Sequence, residues 1–168
     1  MNKGERELSS ISNAVFNALN LNLLRKQYPG YDEQGIRSIT SVYYTLLGLP
    51  YVDQIDVIPP NSSMDHSGID LEVYLQKGFF TYTTDFVGVQ VKSTQHEMNR
   101  FRRVRRNKLG LTPDELEKWL LWQKIIVLNG QQDRTEIENK FFNKLAEINK
   151  FHNPYNPKRS KFLIDFIE

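Results

Sequence analysis

The chain has 168 residues, a typical length for one domain that buries its own hydrophobic core. It contains no cysteine, which excludes disulfides and thiolate metal sites, and its three histidines lack the spacing of zinc ligands. The 12% of aromatic residues argues against a disordered chain. A metal site built from carboxylate oxygens stays open.

The first residues, MNKGERELSS, lack the apolar segment of a secretory signal, and no stretch is long and apolar enough to cross a membrane. We therefore expect an intracellular, cytoplasmic protein without a membrane partner. Because no repeat or low-complexity linker interrupts the chain, residues 1–168 are expected to form a single domain.

Two helices are predicted at the start of the chain. Apolar residues recur at helical spacing within 6–24, and the sequence YPGYD then interrupts the pattern. Asp32 is a suitable N-cap for the second helix, which Gly48 and Pro50 end. The apolar stripe of this second helix consists of Ile36, Ile39, Val42, Tyr43, Leu46 and Leu47.

The middle of the chain predicts β-structure. Strands are expected at 51–58, 69–76 and 86–92, and the segment 79–86 is also rich in β-forming residues. Turn signals separate these segments. We therefore expect an antiparallel meander of three or four strands.

The remainder alternates between helices and strands. Met98, Phe101 and Val104 predict a helix, and TPDE at 112–115 is a capping box that opens another. A short buried strand is expected at 124–130, a helix after the cap at 133–136, and a closing strand at 161–167. This order predicts an α/β or α+β domain in which helices flank one mixed sheet.

Four polar residues stand out on the predicted strands. Residues two apart in a strand point to the same side, so Asp70 shares a face with Glu72, and Gln90 shares a face with Lys92. If the two strands are neighbours, Asp70, Gln90 and Lys92 converge. Such a set suits phosphodiester hydrolysis, because Mg²⁺ takes oxygen ligands and a lysine stabilises developing negative charge.

These residues resemble the catalytic pattern of the PD-(D/E)XK nuclease superfamily. GIDLEVYL and FVGVQVKST are similar to a branch in which GxD and QxK replace the commoner motifs. The resemblance covers mainly residues 5–95. It implies a restriction-endonuclease-like core, made of a helix, a three-strand meander, a helix and a further strand. It also implies a Mg²⁺-dependent endonuclease, with Mn²⁺ as a possible substitute, that cleaves DNA in restriction, homing, junction resolution or repair.

The resemblance assigns a role to each site residue. Asp70 is the central metal ligand, Gln90 takes the place of the usual second acid, and Lys92 is the catalytic lysine. A glutamate on the first helix often completes the metal shell, and Glu7 fits this role better than Glu5. Because Gln90 is neutral, a non-cleaving nucleic-acid-binding module of the same fold is the alternative.

The segment 100–108 holds six basic residues and no acid. Arginine suits bidentate contact with phosphate, so we interpret the segment as a surface that binds the DNA backbone rather than as an ordinary solvated helix. Ser93 and Thr94 either contact phosphate or cap this helix. The predicted DNA-binding residues are Arg100, Arg102, Arg103, Arg105, Arg106, Lys108, Ser93 and Thr94.

Two expectations concern partners. Small enzymes of this kind often cut both strands as homodimers, so a homodimer is expected by analogy, and a DNA substrate implies a location at the nucleoid. A third functional class is also open, in which the arginine-rich helix binds an acidic protein partner.

Overall fold

The computed structural model describes residues 33–59, 68–76 and 86–152. The predicted helix at 6–24, most of the segment 79–86 and the closing strand at 161–167 lie outside them. Within the described residues the chain forms four helices and four strands. These are α1 (Glu33–Leu47), β1 (Val52–Val57), β2 (Leu71–Leu75), β3 (Phe86–Lys92), α2 (Gln95–Leu109), α3 (Pro113–Trp122), β4 (Ile125–Asn129) and α4 (Arg134–His152).

The four strands form one mixed sheet in the order β1-β2-β3-β4. β1 pairs with β2 and β2 with β3 in antiparallel fashion, whereas β4 runs parallel to β3. The predicted antiparallel meander is therefore confirmed for β1, β2 and β3, and β3 lies in the interior of the sheet. The fold is α+β, with helices on both faces of a four-stranded mixed sheet.

The main core lies on one face of the sheet. Alternate residues of β2 and β3 point to this face, because side chains in a strand alternate between its two sides. Helices α1 and α4 cover the face with their apolar stripes, and Val42, Leu46, Ile137 and Phe141 are buried there. This packing explains the helical spacing of apolar residues in both helices.

The opposite face is divided. Over β3 and β4 it is covered by α2 and α3, which form a smaller apolar cluster around Met98, Leu116, Leu120, Ile125 and Val127. Over β1 and β2 it carries polar side chains, among them the hydrogen-bonded pairs Gln54–Asp56 and Tyr74–Glu72. The candidate site lies on this face, where β2 meets β3.

Local sequence signals account for several helix ends. In α3, Thr112 accepts a hydrogen bond from Glu115 N while Glu115 accepts one from Thr112 N, which confirms the predicted capping box. In α4, Asp133 Oδ1 accepts from Glu136 N, as its position predicted. Helix α1 ends at Leu47, before Gly48.

Two residues of the predicted apolar stripes are exposed. Leu47 is 42% exposed and Val104 is 56% exposed, although the helical spacing places both on the apolar stripes of their helices. The helical period identifies the side of a helix that faces the protein, but the neighbouring elements decide how far along that side is covered.

Among the described helices, none combines the length and the apolar character that crossing a membrane requires.

Gly130, which follows β4, tests the close packing of α1 against the sheet. A Cβ atom there would lie 2.5 Å from Ser38 Cβ and 2.6 Å from the backbone oxygen of Ser38. We expect Gly130→Ala to lower the free energy of unfolding by about 2 kcal/mol or more, because the backbone of α1 must shift. Urea unfolding followed by circular dichroism measures this.

Gly48→Ala is the matched control. A Cβ atom at Gly48 would meet the flexible end of Arg134 at 3.1 Å, and the side chain of Arg134 can move away. Its free energy of unfolding should change by less than about 1 kcal/mol. Equal losses in the two variants would contradict the packing of Gly130 against Ser38.

Candidate active site

Asp70 lies immediately before β2, between the two neighbouring strands. Its backbone N donates to Val89 O at 2.9 Å, and its backbone oxygen accepts from Ile58 N at 2.9 Å. Both bonds extend the antiparallel pairing beyond the last paired residues of β2. The backbone of Asp70 is therefore held on both sides, and its half-buried side chain has a defined direction.

The carboxylate of Asp70 contacts β3 directly. Asp70 Oδ2 accepts hydrogen bonds from Gln90 Nε2 and from Val91 N, the latter at 2.7 Å. Asp70 and Gln90, which the sequence predicts on the same face of two neighbouring strands, are thus in contact.

The amide of Gln90 has a definite orientation. The residue is only 4% exposed, and its Nε2 donates to Asp70. Its Oε1 lies on the side of Gly68, at 2.9 Å from the position that a Cβ atom would take there. The atom that would ligate a cation therefore faces Gly68, and a cation shared with Asp70 requires the amide to turn over.

Lys92 is the next residue of β3 on the same face as Gln90. It is half-buried, and its Nζ lies 5.5 Å from the centroid of the Phe101 ring. Its backbone oxygen accepts from Gly130 N at 2.9 Å, which ties this end of β3 to β4. The lysine therefore lies at the end of β3 that is paired with β4, next to Phe101 of helix α2.

Glu72 and Tyr74 continue the polar face along β2. Tyr74 donates its hydroxyl hydrogen to Glu72 Oε1 at 3.0 Å, and Asp56 on β1 is the paired neighbour of Glu72. The described residues contain no group of three or more acidic or histidine side chains that could hold a metal ion. The carboxylate of Glu72 instead accepts the hydrogen bond from Tyr74.

The predicted ligand on the first helix cannot be placed. Glu7 and its competitor Glu5 lie outside the described residues. Their roles stay predictions. Within the described residues the candidate metal ligands are Asp70 and Gln90.

The arginines of α2 differ in their surroundings. Arg102, Arg103 and Arg106 line a pocket of about 280 Å³ between α2 and α3. α3 also contributes acids to this pocket, since Arg102 Nε lies 2.9 Å from Glu117 Oε1. The sequence shows no acid near these arginines because Glu117 comes from the next helix.

The other basic residues of α2 differ in how far they are exposed to solvent. Arg100 and Lys108 are exposed to solvent. Arg105 is half-buried, and its guanidinium lies 5.5 Å from the ring of Phe101 and 5.8 Å from that of Trp119.

Ser93 and Thr94 are engaged within the fold. Thr94 is the N-cap of α2 and accepts from Glu97 N at 3.1 Å. Ser93 is 4% exposed, and its hydroxyl accepts from Ser38 at 3.1 Å. Of the two predicted roles, capping of the helix is confirmed for Thr94. Contact of either residue with phosphate stays a prediction.

Sequence patterns alone do not single out Gly68, Phe101 and Arg105 as neighbours of the site. Gly68 has a left-handed φ of 80°, and a Cβ atom there would lie 2.6 Å from Arg105 Nη2 and 3.1 Å from Phe101 Cε2. The available signals are the glycine of GID and the four-residue spacing of Phe101 and Arg105 on a helix. Neither signal indicates which strand the helix covers.

Comparison with known proteins yields no relative. No protein-family model, no curated protein and no solved structure matches the chain. The functional conclusion therefore depends on the geometry of the described residues and on the resemblance of the GxD and QxK motifs.

The pair formed by Tyr74 and Glu72 predicts a pH dependence. Burial, followed by the hydrogen bond and charge of Glu72, raises the pKa of Tyr74 from 10.0 to about 12. Because the folded value exceeds the unfolded one, the stability contributed by the neutral phenol is complete below pH 10 and is lost as the pH rises to about 12. Glu72→Gln should lower the pKa of Tyr74 without restoring 10.0, because burial persists.

Carbon-13 NMR of labelled tyrosine follows this titration, and Tyr74→Phe identifies the resonance. A Tyr74 pKa that is the same in the wild-type protein and in Glu72→Gln would show that the glutamate does not act on the phenol.

Proposed function

We propose that the chain is a metal-dependent endonuclease that hydrolyses phosphodiester bonds in DNA. The observation that carries this proposal is the contact between Asp70 and Gln90 at the centre of the sheet. Lys92 follows on the same face. A carboxylate, an amide and an ammonium group are the types of side chain that the GxD and QxK motifs provide.

The order of the elements supports the resemblance. Helix α1 precedes an antiparallel three-strand meander, and β4 returns parallel to β3 after a helical crossover. This is the order of the restriction-endonuclease-like core that the motifs imply. The crossover here contains two helices, α2 and α3, where the expected core has one.

The donor atoms fit Mg²⁺ or Mn²⁺ in kind. Asp70 and Gln90 offer hard oxygen ligands, and Mg²⁺ commonly uses one or two carboxylates, with water and substrate phosphate in the remaining positions. Glu7 is the proposed third protein ligand. When bound, the metal would polarise the phosphate and lower the pKa of a water molecule.

The chain's own residues have separate roles. Lys92 holds the attacking water and stabilises the negative charge that develops on the phosphate. Asp70 is preorganised by its two hydrogen bonds to β3. Arg100, Arg103, Arg106 and Lys108 hold the DNA backbone without reading its sequence. Two copies of the chain are proposed to cut the two strands, by analogy with other small nucleases.

A second candidate function is binding of DNA without cleavage. Gln90 donates its Nε2 to Asp70 and turns its oxygen towards Gly68. The described site also combines a single carboxylate with the cations Lys92 and Arg105, a balance that favours phosphate over a divalent metal. This module would keep the fold and the basic helix.

The first test is a cleavage assay with plasmid and branched DNA in the presence of Mg²⁺ or Mn²⁺. Asp70→Ala and Lys92→Ala should each reduce the cleavage rate by about 100-fold or more, because each removes a group that acts on the reacting phosphate. Arg37→Ala is the control, since Arg37 is an exposed residue of α1 with a side chain that is 75% exposed. It should cleave at the wild-type rate.

The outcomes separate the candidate functions. Binding without cleavage in the wild-type protein would support the second candidate. Neither binding nor cleavage would rule out both and leave the interaction with an acidic protein partner. Circular dichroism of each variant shows whether a loss reflects unfolding.

The second test asks whether Asp70 and residue 90 share a metal ion. Without metal, Gln90→Glu brings two carboxylates together and should lower the free energy of unfolding by about 2 kcal/mol or more. Millimolar Mg²⁺ or Mn²⁺ should restore much of this loss, because the cation neutralises the pair. Urea unfolding with and without metal measures both effects.

Gln90→Ala is the matched control for this test. It removes the partner of Asp70 without adding a charge, so its loss of stability should not respond to metal. If Mg²⁺ and Mn²⁺ leave Gln90→Glu as unstable as before, the two positions do not share a cation and the metal site is wrong.

A further inference from the structure

Helix α2 sends one cation towards the candidate site. Around Gly68, three groups from different parts of the chain converge, as the position of an added Cβ atom shows. Arg105 Nη2 would lie 2.6 Å from that atom, Gln90 Oε1 2.9 Å and Phe101 Cε2 3.1 Å. Arg105 and Gln90 are therefore close enough for a direct or water-mediated contact.

Arg105 differs from the other arginines of its helix. Arg102, Arg103 and Arg106 line the pocket against α3, and Arg102 is paired there with Glu117. The guanidinium of Arg105 lies 5.5 Å from the ring centroid of Phe101 and 5.8 Å from that of Trp119, which belongs to α3. These aromatic contacts limit the directions in which its side chain can point.

Phe101 brings two cations to one place. Lys92 Nζ and Arg105 Cζ each lie 5.5 Å from the centroid of its ring. Among the described residues, two positive charges are thus placed beside the neutral Gln90, which is bonded to the carboxylate of Asp70. This charge balance suits an anionic ligand, and a guanidinium fork matches two oxygens of one phosphate group.

We propose that Arg105 is a catalytic residue that contacts the non-bridging oxygens of the phosphodiester being cleaved. It would stabilise the additional negative charge that forms when water attacks, while Lys92, which lies near the same ring of Phe101, acts beside it. This assignment rests on the proposed function, since it takes the reacting group to be a nucleic-acid phosphate. It separates Arg105 from the arginines that hold the DNA backbone elsewhere.

The kinetic test uses the full chain with a DNA duplex and Mg²⁺ under single-turnover conditions. Arg105→Ala should reduce the rate at saturating DNA by about 100-fold, the effect of removing one preorganised donor to a transition-state charge. Arg105→Lys keeps the positive charge without the fork and should recover part of the rate. Arg37→Ala, which removes an exposed arginine on the other side of the sheet, should match the wild-type protein.

A comparison with Arg103→Ala separates catalysis from binding. Arg103 is exposed and faces the pocket, so its loss should weaken DNA binding and reduce the salt dependence of affinity by about one unit of slope. A variant Arg105→Ala that weakens affinity in the same way but cleaves at the wild-type rate at saturation would overturn the catalytic assignment. Wild-type rates and affinity in Arg105→Ala would overturn it as well.

A spectroscopic test does not depend on cleavage. The side-chain Nε resonance of Arg105, identified by its absence in Arg105→Lys, should shift when a short duplex is added with Ca²⁺ in place of Mg²⁺. If the wild-type protein never cleaves but this resonance shifts, the endonuclease proposal fails and contact of Arg105 with phosphate stands. If duplex binds and the resonance does not move, Arg105 does not contact the phosphate and the inference is wrong.

Discussion

A buried amide in the central strand is the constraint on which this site depends. β3 lies between an antiparallel neighbour and a parallel one, and its residues from Val87 to Val91 are buried. Gln90 stands in this run, and an amide buried without a partner costs about 1–3 kcal/mol. Asp70 meets the requirement by accepting from Gln90 Nε2, and it also accepts from Val91 N.

Because of this arrangement, the side chains of Asp70 and Gln90 that stabilise the sheet are the same ones that we propose for the chemistry. The backbone of Asp70 is bonded to Ile58 on one side and to Val89 on the other, so the sheet holds the carboxylate in place. Such preorganisation is what electrostatic catalysis requires. It also gives Asp70 a structural role, which is why the tests combine activity with measurements of folding.

Helix α2 links the site to the surface beyond it. Phe101 and Arg105 extend from the helix towards Gly68 and Gln90, and Arg102, Arg103 and Arg106 line a pocket between this helix and α3. A run of positive charge that reads as uniform in the sequence is therefore divided by the fold. One part lies beside the candidate reacting centre, and another is partly neutralised by Glu117.

Local features follow directly from the order of the residues. Alternation in a strand identifies the shared face of Gln90 and Lys92, and Thr112 with Glu115 marks the start of α3, because both signals arise between residues close in the chain. By contrast, tertiary packing leaves Val104 exposed, turns the oxygen of Gln90 towards Gly68 and places Arg105 beside it. Those features depend on where α2 packs over the sheet, and that placement is set by contacts between residues far apart in the sequence.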